Sequence, residues 1–268
     1  MILISFSLSF FSAGAQDTLT LEPYVGNLKK ITVQIQSNHY SFLFDTGGGE
    51  TFISNEIVNQ IHKEKYGKVI GLKMSGETFY SERCDSVILE IGNTVIFHQT
   101  IGVWDVMKAL PKELPHIDGI LSLKSFEDKI LTVDLSNNYL IVETDNSFTD
   151  KIKGFNKIES VWSTGQSGLE LVFFLPIIQK GHPYLFLFDS GNLDLFTISK
   201  STALAWGLEN GQATTDKRYN TNINYLDKII NVDIVSKEII YDGAINYSFI
   251  KSGIYMLDLK HKKVWVSL

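Results

Sequence analysis

Two segments of this sequence end a run of large apolar residues with a carboxylate, a small hydroxyl residue and a glycine. They are YSFLFDTG at residues 40–47 and YLFLFDSG at residues 184–191. A carboxylate at the end of a buried strand is unfavourable unless it is hydrogen-bonded, paired or neutralised. Asp45 and Asp189 would satisfy this condition as neighbours, because two adjacent carboxyl groups share one proton. Paired carboxyl groups of this kind are suited to general acid–base hydrolysis.

The two segments belong to a longer internal repeat. Residues 31–45 align without a gap with residues 175–189, at an offset of 189 − 45 = 144. A second repeat starts with Asp-Gly at Asp118 and at Asp242. In both copies an Asp-Leu pair follows after 16 residues, since 134 − 118 and 258 − 242 are both 16. A repeat of this length is too long for a solenoid and predicts two related lobes.

Each Asp-Thr/Ser-Gly tripeptide has a simpler explanation when it is taken alone. Asp and Gly favour turns, so Asp45 and Asp189 could be turn residues that accept hydrogen bonds from their own loop amides. Two copies on duplicated scaffolds favour a functional pair, because equivalent strands of two lobes would bring both carboxyl groups to one place.

The elements that must position these residues are short strands. Runs such as residues 31–35 and 87–91 are rich in β-branched residues and are followed by turn residues, which is typical of an all-β protein. The most polar connector, residues 144–157, lies near the midpoint of the chain. We therefore predict one lobe over residues 16–148 and a second over residues 149–268.

Helical patterns are scarce. Ser54 could cap a helix that runs through about Tyr66, and Ser199 or Ser201 could begin a second helix that ends at Gly207. The single cysteine, Cys84, cannot form an internal disulfide, so we expect it to be a small buried residue of the core.

Residues 44–47 and 188–191 resemble the catalytic loops of the pepsin/retropepsin-like clan of aspartic proteases, in a bilobal, single-chain form of the bacterial secreted type. Residues 117–121 and 241–245 are similar to the hydrophobic-Gly strand that lies beside those loops. The resemblance implies an all-β, bilobal acid-protease fold. It implies two related β-barrel-like lobes of six to seven strands each, with a cleft between them.

The resemblance also implies roles for individual residues. Asp45 and Asp189 would be the catalytic pair, facing each other across the cleft and activating a water that attacks a peptide bond. The active-site loops would be supported by four further residues, of which the two hydroxyl residues brace the opposite loop: Thr46, Gly47, Ser190 and Gly191. The implied function is that of an aspartic endopeptidase acting on a peptide or protein, without a cofactor. The alternative is a weak or inactive protein of the same fold that binds peptides or a partner protein.

Residues 72–80 form a predicted hairpin centred on Ser75 and Gly76. By resemblance this is the flap that closes over substrate, and Met74, Ser75 and Gly76 would contact the substrate; a plain surface hairpin is the alternative. Lys73 and Met74 stand where pepsin-like flaps carry a tyrosine. A second departure lies in the loops, where Gly48 and Asn192 replace the usual Ser or Thr.

Composition and motifs exclude several other classes of protein. A net charge of −6 provides no basic surface for nucleic acid, so we expect no nucleic-acid partner. The six histidines show no His-Glu-x-x-His spacing, so we expect no metal. No Gly-x-Ser-x-Gly motif marks a serine nucleophile. With both loops on one chain, we expect a monomer with pseudo-twofold symmetry.

Residues 1–15 are apolar or small and end in Ala-Gly-Ala, a small-x-small cleavage pattern. Their length suits a signal peptide and is too short to span a membrane. The basic residue expected near the start of a signal peptide is missing, and a buried strand is the alternative. We predict export to the periplasm or the extracellular space.

Overall fold

The computed structural model describes residues 16–210, 215–226 and 228–268, so the predicted signal peptide lies outside the described residues. The first half of the chain contributes these strands: β1 (Asp17–Thr20), β2 (Glu22–Pro23), β3 (Lys29–Ile35), β4 (Asn38–Phe44), β5 (Phe52–Ile53), β6 (Tyr66–Leu72), β7 (Thr78–Ile91), β8 (Thr94–Val103), β9 (Gly119–Leu121), β10 (Ile130–Asp134) and β11 (Tyr139–Glu143). The second half contributes β12 (Asn156–Ile158), β13 (Val161–Ser163), β14 (Val172–Gln179), β15 (His182–Phe188), β16 (Phe196–Ser199), β17 (Lys217–Tyr225), β18 (Lys228–Lys237), β19 (Gly243–Ile245), β20 (Ile254–Asp258) and β21 (Lys263–Ser267).

Short helices connect the strands, and the described residues include no helix that is long and apolar enough to cross a membrane. The α-helices are α1 (Asn55–Gln60), α2 (Asp145–Lys151), α3 (Lys200–Trp206) and α4 (Tyr247–Ile250), and the 3₁₀ helices are Val106–Lys108, Leu123–Phe126 and Ile152–Gly154.

The predicted helix that begins at Ser54 is shorter than expected. Ser54 does cap α1, but the helix ends at Gln60 because Tyr66–Leu72 pairs with β7 as a strand. Ser199, not Ser201, caps α3, whose C-terminus is closed by Gly207 in the left-handed conformation.

Three sheets organise the fold into two lobes. An eight-stranded sheet is built from the first half, in the order β2-β3-β4-β9-β5-β8-β7-β6, and a seven-stranded sheet from the second, in the order β13-β14-β15-β19-β16-β18-β17. The third sheet takes three strands from each half, in the order β1-β11-β10-β20-β21-β12. Its central antiparallel pair, β10 and β20, joins the halves directly. The all-β, bilobal prediction is confirmed, and the shared sheet adds a feature that the sequence did not indicate.

The internal repeat of the sequence is a repeat of structure. Strand β4 recurs as β15 at the offset of 144, and strands β9, β10 and β11 recur as β19, β20 and β21 at an offset of 242 − 118 = 124. The offsets differ by 144 − 124 = 20 residues because the first half carries extra chain. Strand β6 and the beginning of β7 account for it, and the described part of the second half has no strand equivalent to β6.

The repeated Phe-x-Phe pattern fills the core of both lobes. Phe42 and Phe44 in β4, and Phe186 and Phe188 in β15, are at most 1% exposed. Because side chains alternate along a strand, the leucines between them face the other way, and each is buried in a smaller apolar cluster of its own lobe. Cys84 is fully buried, which confirms the expectation that this single cysteine is a small core residue.

A short glycine-initiated strand lies parallel to each of these core strands. Gly119 pairs with Phe42 and Gly243 pairs with Phe186. A β-carbon at either glycine would lie within 3.0 Å of the ring of the paired phenylalanine. The glycines therefore permit the close approach that sets each Asp-Thr/Ser-Gly loop in place.

We predict that Gly119→Ala and Gly243→Ala each destabilise the protein by about 1–3 kcal/mol, because the added methyl group overpacks the core. Gly154→Ala is the matched control, since nothing lies within 4 Å of its β-carbon position, and it should change stability by less than about 0.5 kcal/mol. Urea unfolding of the three variants measures the difference. Equal stabilities for all three would contradict the packing argument.

Candidate active site

Asp45 and Asp189 follow directly on β4 and β15 and lie where the two lobes meet. The Asp45 amide donates to the carbonyl of Leu121 at 3.1 Å, and the Asp189 amide donates to that of Ile245 at 3.2 Å. These equivalent bonds continue the β4–β9 and β15–β19 pairings to the end of each strand. The two carboxyl groups lie within hydrogen-bonding distance of each other, and both are half-buried.

The hydroxyl residues of the two loops hold the lobes together through buried hydrogen bonds. The Thr46 amide donates to Ser190 Oγ at 3.1 Å, and the Ser190 amide donates to Thr46 Oγ1 at 2.9 Å. Thr46 Oγ1 donates to the Phe188 carbonyl at 2.9 Å, and Ser190 Oγ donates to that of Phe44 at 3.4 Å. Each hydroxyl thus both accepts from the opposite loop and donates to it, so the relative position of the loops is fixed.

The glycines of the loops contact the carboxyl groups from both lobes. The Gly47 amide donates to Asp45 Oδ1, and the Gly191 amide to Asp189 Oδ1, both at 2.9 Å. A β-carbon on Gly47 would lie 2.6 Å from Asp189 Oδ1, and one on Gly191 would lie 2.7 Å from Asp45 Oδ1. Each glycine therefore supports the carboxylate of its own loop and leaves room for the carboxylate of the other.

The pKa values of both carboxyl groups are raised. Burial is the main cause for Asp45, and the amides of Gly47 and Gly48 only partly counteract it. The pKa of Asp189 lies well above the usual range, because burial and the neighbouring charge of Asp45 both oppose its ionisation. The pair therefore holds a shared proton at pH values where an ordinary aspartate is ionised.

Two further aspartates, whose role the sequence did not reveal, precede β9 and β19 and anchor them to β4 and β15. Asp118 Oδ2 accepts from the Ser41 amide and Asp242 Oδ2 accepts from the Leu185 amide, both at 2.8 Å. These are the first residues of the second sequence repeat, so their Asp-Gly spacing was a usable indication. Each ties the short glycine strand to the strand that delivers the carboxylate.

A buried ion pair that the sequence did not predict lies next to the first loop. Glu50 Oε2 and Arg83 Nη2 are 3.0 Å apart, and both side chains are less than a tenth exposed. Burial, aided by the charge of Glu170, raises the pKa of Glu50 to about 7, against the opposing effects of Arg83 and Lys124. Because Glu50 and Arg83 are 33 residues apart, by 83 − 50, no local pattern indicated their pairing.

The predicted flap is a hairpin of β6 and β7, and its tip reaches the second lobe. Gly76 has a φ of +84°, as the tight turn requires. The Ile240 amide donates to the carbonyl of Met74 at 3.0 Å, and Met74 packs against the apolar cluster of Val172, Leu187 and Ala244 in the second lobe, as do Phe174 and Tyr241. Met74, Ser75 and Gly76 therefore lie at the tip of a hairpin that bridges the two lobes.

Three aromatic side chains cluster behind the hairpin, on the first lobe. The rings of Phe79 and Trp104 are 4.7 Å apart, and Phe52 contacts both at 5.7–6.0 Å. Phe79 and Trp104 are only partly buried, so part of this cluster is accessible from the cleft side of the hairpin.

The described residues contain no group of three or more His, Cys, Asp or Glu side chains that could hold a metal ion.

Comparisons with known proteins identify the architecture. No protein-family model and no curated protein sequence matches the chain. Among solved structures it is similar to conglutin gamma, a basic 7S globulin from lupine seeds, with a TM-score of 0.61 and 9% identity over 94% of each chain. It is also similar to the basic 7S globulin from soybean, with a TM-score of 0.59 and 8% identity over 94% of each chain.

The fold is the bilobal pepsin-like fold. At 8–9% identity the likeness shows the pepsin-like fold alone. What the site does must be argued from its own residues.

We predict that Asp189→Asn makes stability less dependent on pH. Raised carboxyl pKa values favour folding below about pH 4, where free carboxyl groups titrate, and this advantage is lost as the pH rises through the folded-state values. The loss of stability between pH 4 and pH 7 should therefore be smaller in the variant than in wild type.

Chemical denaturation across this pH range measures the effect. Asp128→Asn is the control, because the side chain of Asp128 is 73% exposed. Glu50 and His98, whose pKa values are also shifted, are unchanged in both variants and cancel in the comparison. Parallel pH curves for wild type and Asp189→Asn would contradict the coupling of the two carboxyl groups.

Proposed function

We propose that the protein is an aspartic endopeptidase that hydrolyses peptide bonds with a water activated by Asp45 and Asp189. The observation that carries this proposal is the contact between two carboxyl groups whose pKa values are both raised. A structural turn needs a single ionised carboxylate. It does not need a second one within hydrogen-bonding distance, at an unfavourable electrostatic cost.

The geometry supports a division of labour between the two carboxyl groups. In the singly protonated pair, the ionised group accepts a proton from a water held between them, and the water oxygen attacks the peptide carbonyl. The protonated group donates its proton to the developing oxyanion. The loop amides of Gly47 and Gly191 hold both groups in place, so the pair does not have to reorganise.

The substrate class follows from the cleft. A peptide bound between the lobes would lie under the hairpin tip at Met74, with the partly buried rings of Phe79 and Trp104 on one side. We propose a peptide or protein substrate for a monomeric enzyme exported to the periplasm or the extracellular space.

A second candidate is a peptide-binding protein of the same fold without turnover. Lys73 and Met74, not a tyrosine, stand directly before the turn of the hairpin, and the Ile240 amide donates to the Met74 carbonyl and joins the tip to the second lobe. A hairpin held in this way favours capture of a partner over repeated release of product.

We predict that Asp45→Asn and Asp189→Asn each reduce peptide cleavage by at least about 100-fold, because either substitution removes a proton acceptor or donor from the pair. Cleavage of a random peptide library, followed by mass spectrometry, measures the loss, with Asp128→Asn as the control. Undiminished cleavage in either variant would refute the proposal. Absence of wild-type cleavage at any pH, with retained peptide binding, would favour the second candidate.

We also predict a pH optimum in the weakly acidic to neutral range. Activity needs one proton on the pair, and the alkaline limb of the profile reports loss of that proton. Raised pKa values move this limb upward. The side-chain amide of Asn192 donates to Thr197 Oγ1 at 3.3 Å, and Gly48 offers only its backbone amide. No side chain at either position therefore stabilises the ionised carboxyl group. A kcat/KM profile that peaks in strong acid would contradict this prediction.

A further inference from the structure

The pseudo-twofold symmetry places two equivalent contacts at opposite sides of the carboxyl pair. Leu193 packs on Gly26, with a side-chain carbon 3.3 Å from the β-carbon position of the glycine. Glu170 packs on Gly49, with side-chain atoms 3.2 Å from the equivalent point. The offset of the repeat relates the pairs, because 26 + 144 = 170 and 49 + 144 = 193. The two sides therefore share one backbone arrangement and differ in chemistry: apolar at one and acidic at the other.

The acidic contact is made by the carboxylate of Glu170. Its side chain is half-buried between Gly49 and Gly165, and no described residue forms an ion pair or a side-chain hydrogen bond with it. It lies beside the first loop of the candidate site, because it contacts Gly49 and the following Leu171 amide donates to the Gly49 carbonyl at 2.7 Å. The carboxylate of Glu170 is thus close to the loop that carries Asp45 but takes no part in the hydrogen bonds of the carboxyl pair.

The nearby cations are already engaged. Arg83 is paired with Glu50, and Lys124 bonds to Glu127 and to the carbonyl of Gly168. The Glu50 side chain is only 9% exposed, and its Oε1 atom is buried without a hydrogen-bond partner among the described residues. The negative charge of Glu170 contributes to the raised pKa of Glu50. Two acidic groups therefore lie beside the cleft with one incompletely satisfied and the other unpaired.

We propose that Glu170 forms a subsite that selects a lysine or arginine side chain of the substrate. The ammonium or guanidinium group would pair with the Glu170 carboxylate, and the aliphatic stem would pack on Met74, Phe174 and Tyr241 of the neighbouring apolar cluster. Leu193, which is 52% exposed at the equivalent place on the other side, offers an apolar contact instead. This inference rests on the proposed peptide substrate.

The test uses matched peptides that differ at one position, which carries Lys, Leu or Glu and is moved along the sequence. At one position, wild-type kcat/KM should be about tenfold higher for Lys than for Leu, chiefly through KM, and lowest for Glu. Glu170→Gln should bring the Lys and Leu values together. Glu159→Gln, which changes an exposed glutamate of the same half, should leave the preference intact.

Binding separates this inference from the proposed function. Fluorescence anisotropy with the same labelled peptides on the Asp45→Asn variant needs no turnover. Tighter binding of the Lys peptide that is lost in the Asp45→Asn, Glu170→Gln double variant supports the subsite, even if wild type cleaves nothing. Cleavage without preference for Lys over Leu at any position overturns the subsite and leaves the endopeptidase proposal standing. Binding without that preference and without cleavage overturns the subsite and favours the peptide-binding candidate. Neither cleavage nor binding overturns both.

Discussion

The contact between two acidic side chains is the constraint on which the rest of this structure depends. Asp45 and Asp189 come together at a half-buried junction, where burial and mutual repulsion oppose ionisation. Such a contact persists only when its surroundings hold it in place. Here the surroundings are the reciprocal hydrogen bonds of Thr46 and Ser190 and the glycine amides that face the carboxyl oxygens. Stability is lowered locally, and a proton is held at a pH where aspartate normally gives it up.

The two-lobed architecture is a means of delivering equivalent loops to one point. Each lobe supplies a strand that ends in the carboxylate, and a parallel glycine strand, anchored by Asp118 or Asp242, that fixes where that strand ends. The shared sheet, joined through β10 and β20, then sets one lobe against the other. Rigidity at the junction therefore comes from two independent sources, the sheet below and the hydroxyl residues of the loops above.

The sequence predicted what is repeated in it and missed what depends on contacts between distant, unrepeated residues. The offset of 144 indicated both carboxylates, and the later Asp-Gly repeat indicated the strand beside them. The shared sheet was not predictable, because β10 pairs with β20 across more than a hundred residues. The end of α1 was misplaced because pairing with β7 overrides the helical pattern after Gln60. The Glu50–Arg83 pair was missed for the same reason, because its residues are distant in the sequence and neither residue type indicates burial by itself.

Asymmetry on a symmetric scaffold is where the specificity of such a cleft must arise. A peptide has a direction, but two equivalent carboxyl groups on equivalent loops cannot distinguish its ends. The hairpin at Met74 belongs to the first lobe, the acid after the first loop is buried with Arg83, and its counterpart Asp194 pairs with Lys237 at the surface. The contact of Glu170 with Gly49 and that of Leu193 with Gly26 also differ in chemistry across the pseudo-twofold axis. The repeated residues therefore define the chemistry, and the residues that break the repeat define which way a substrate can lie.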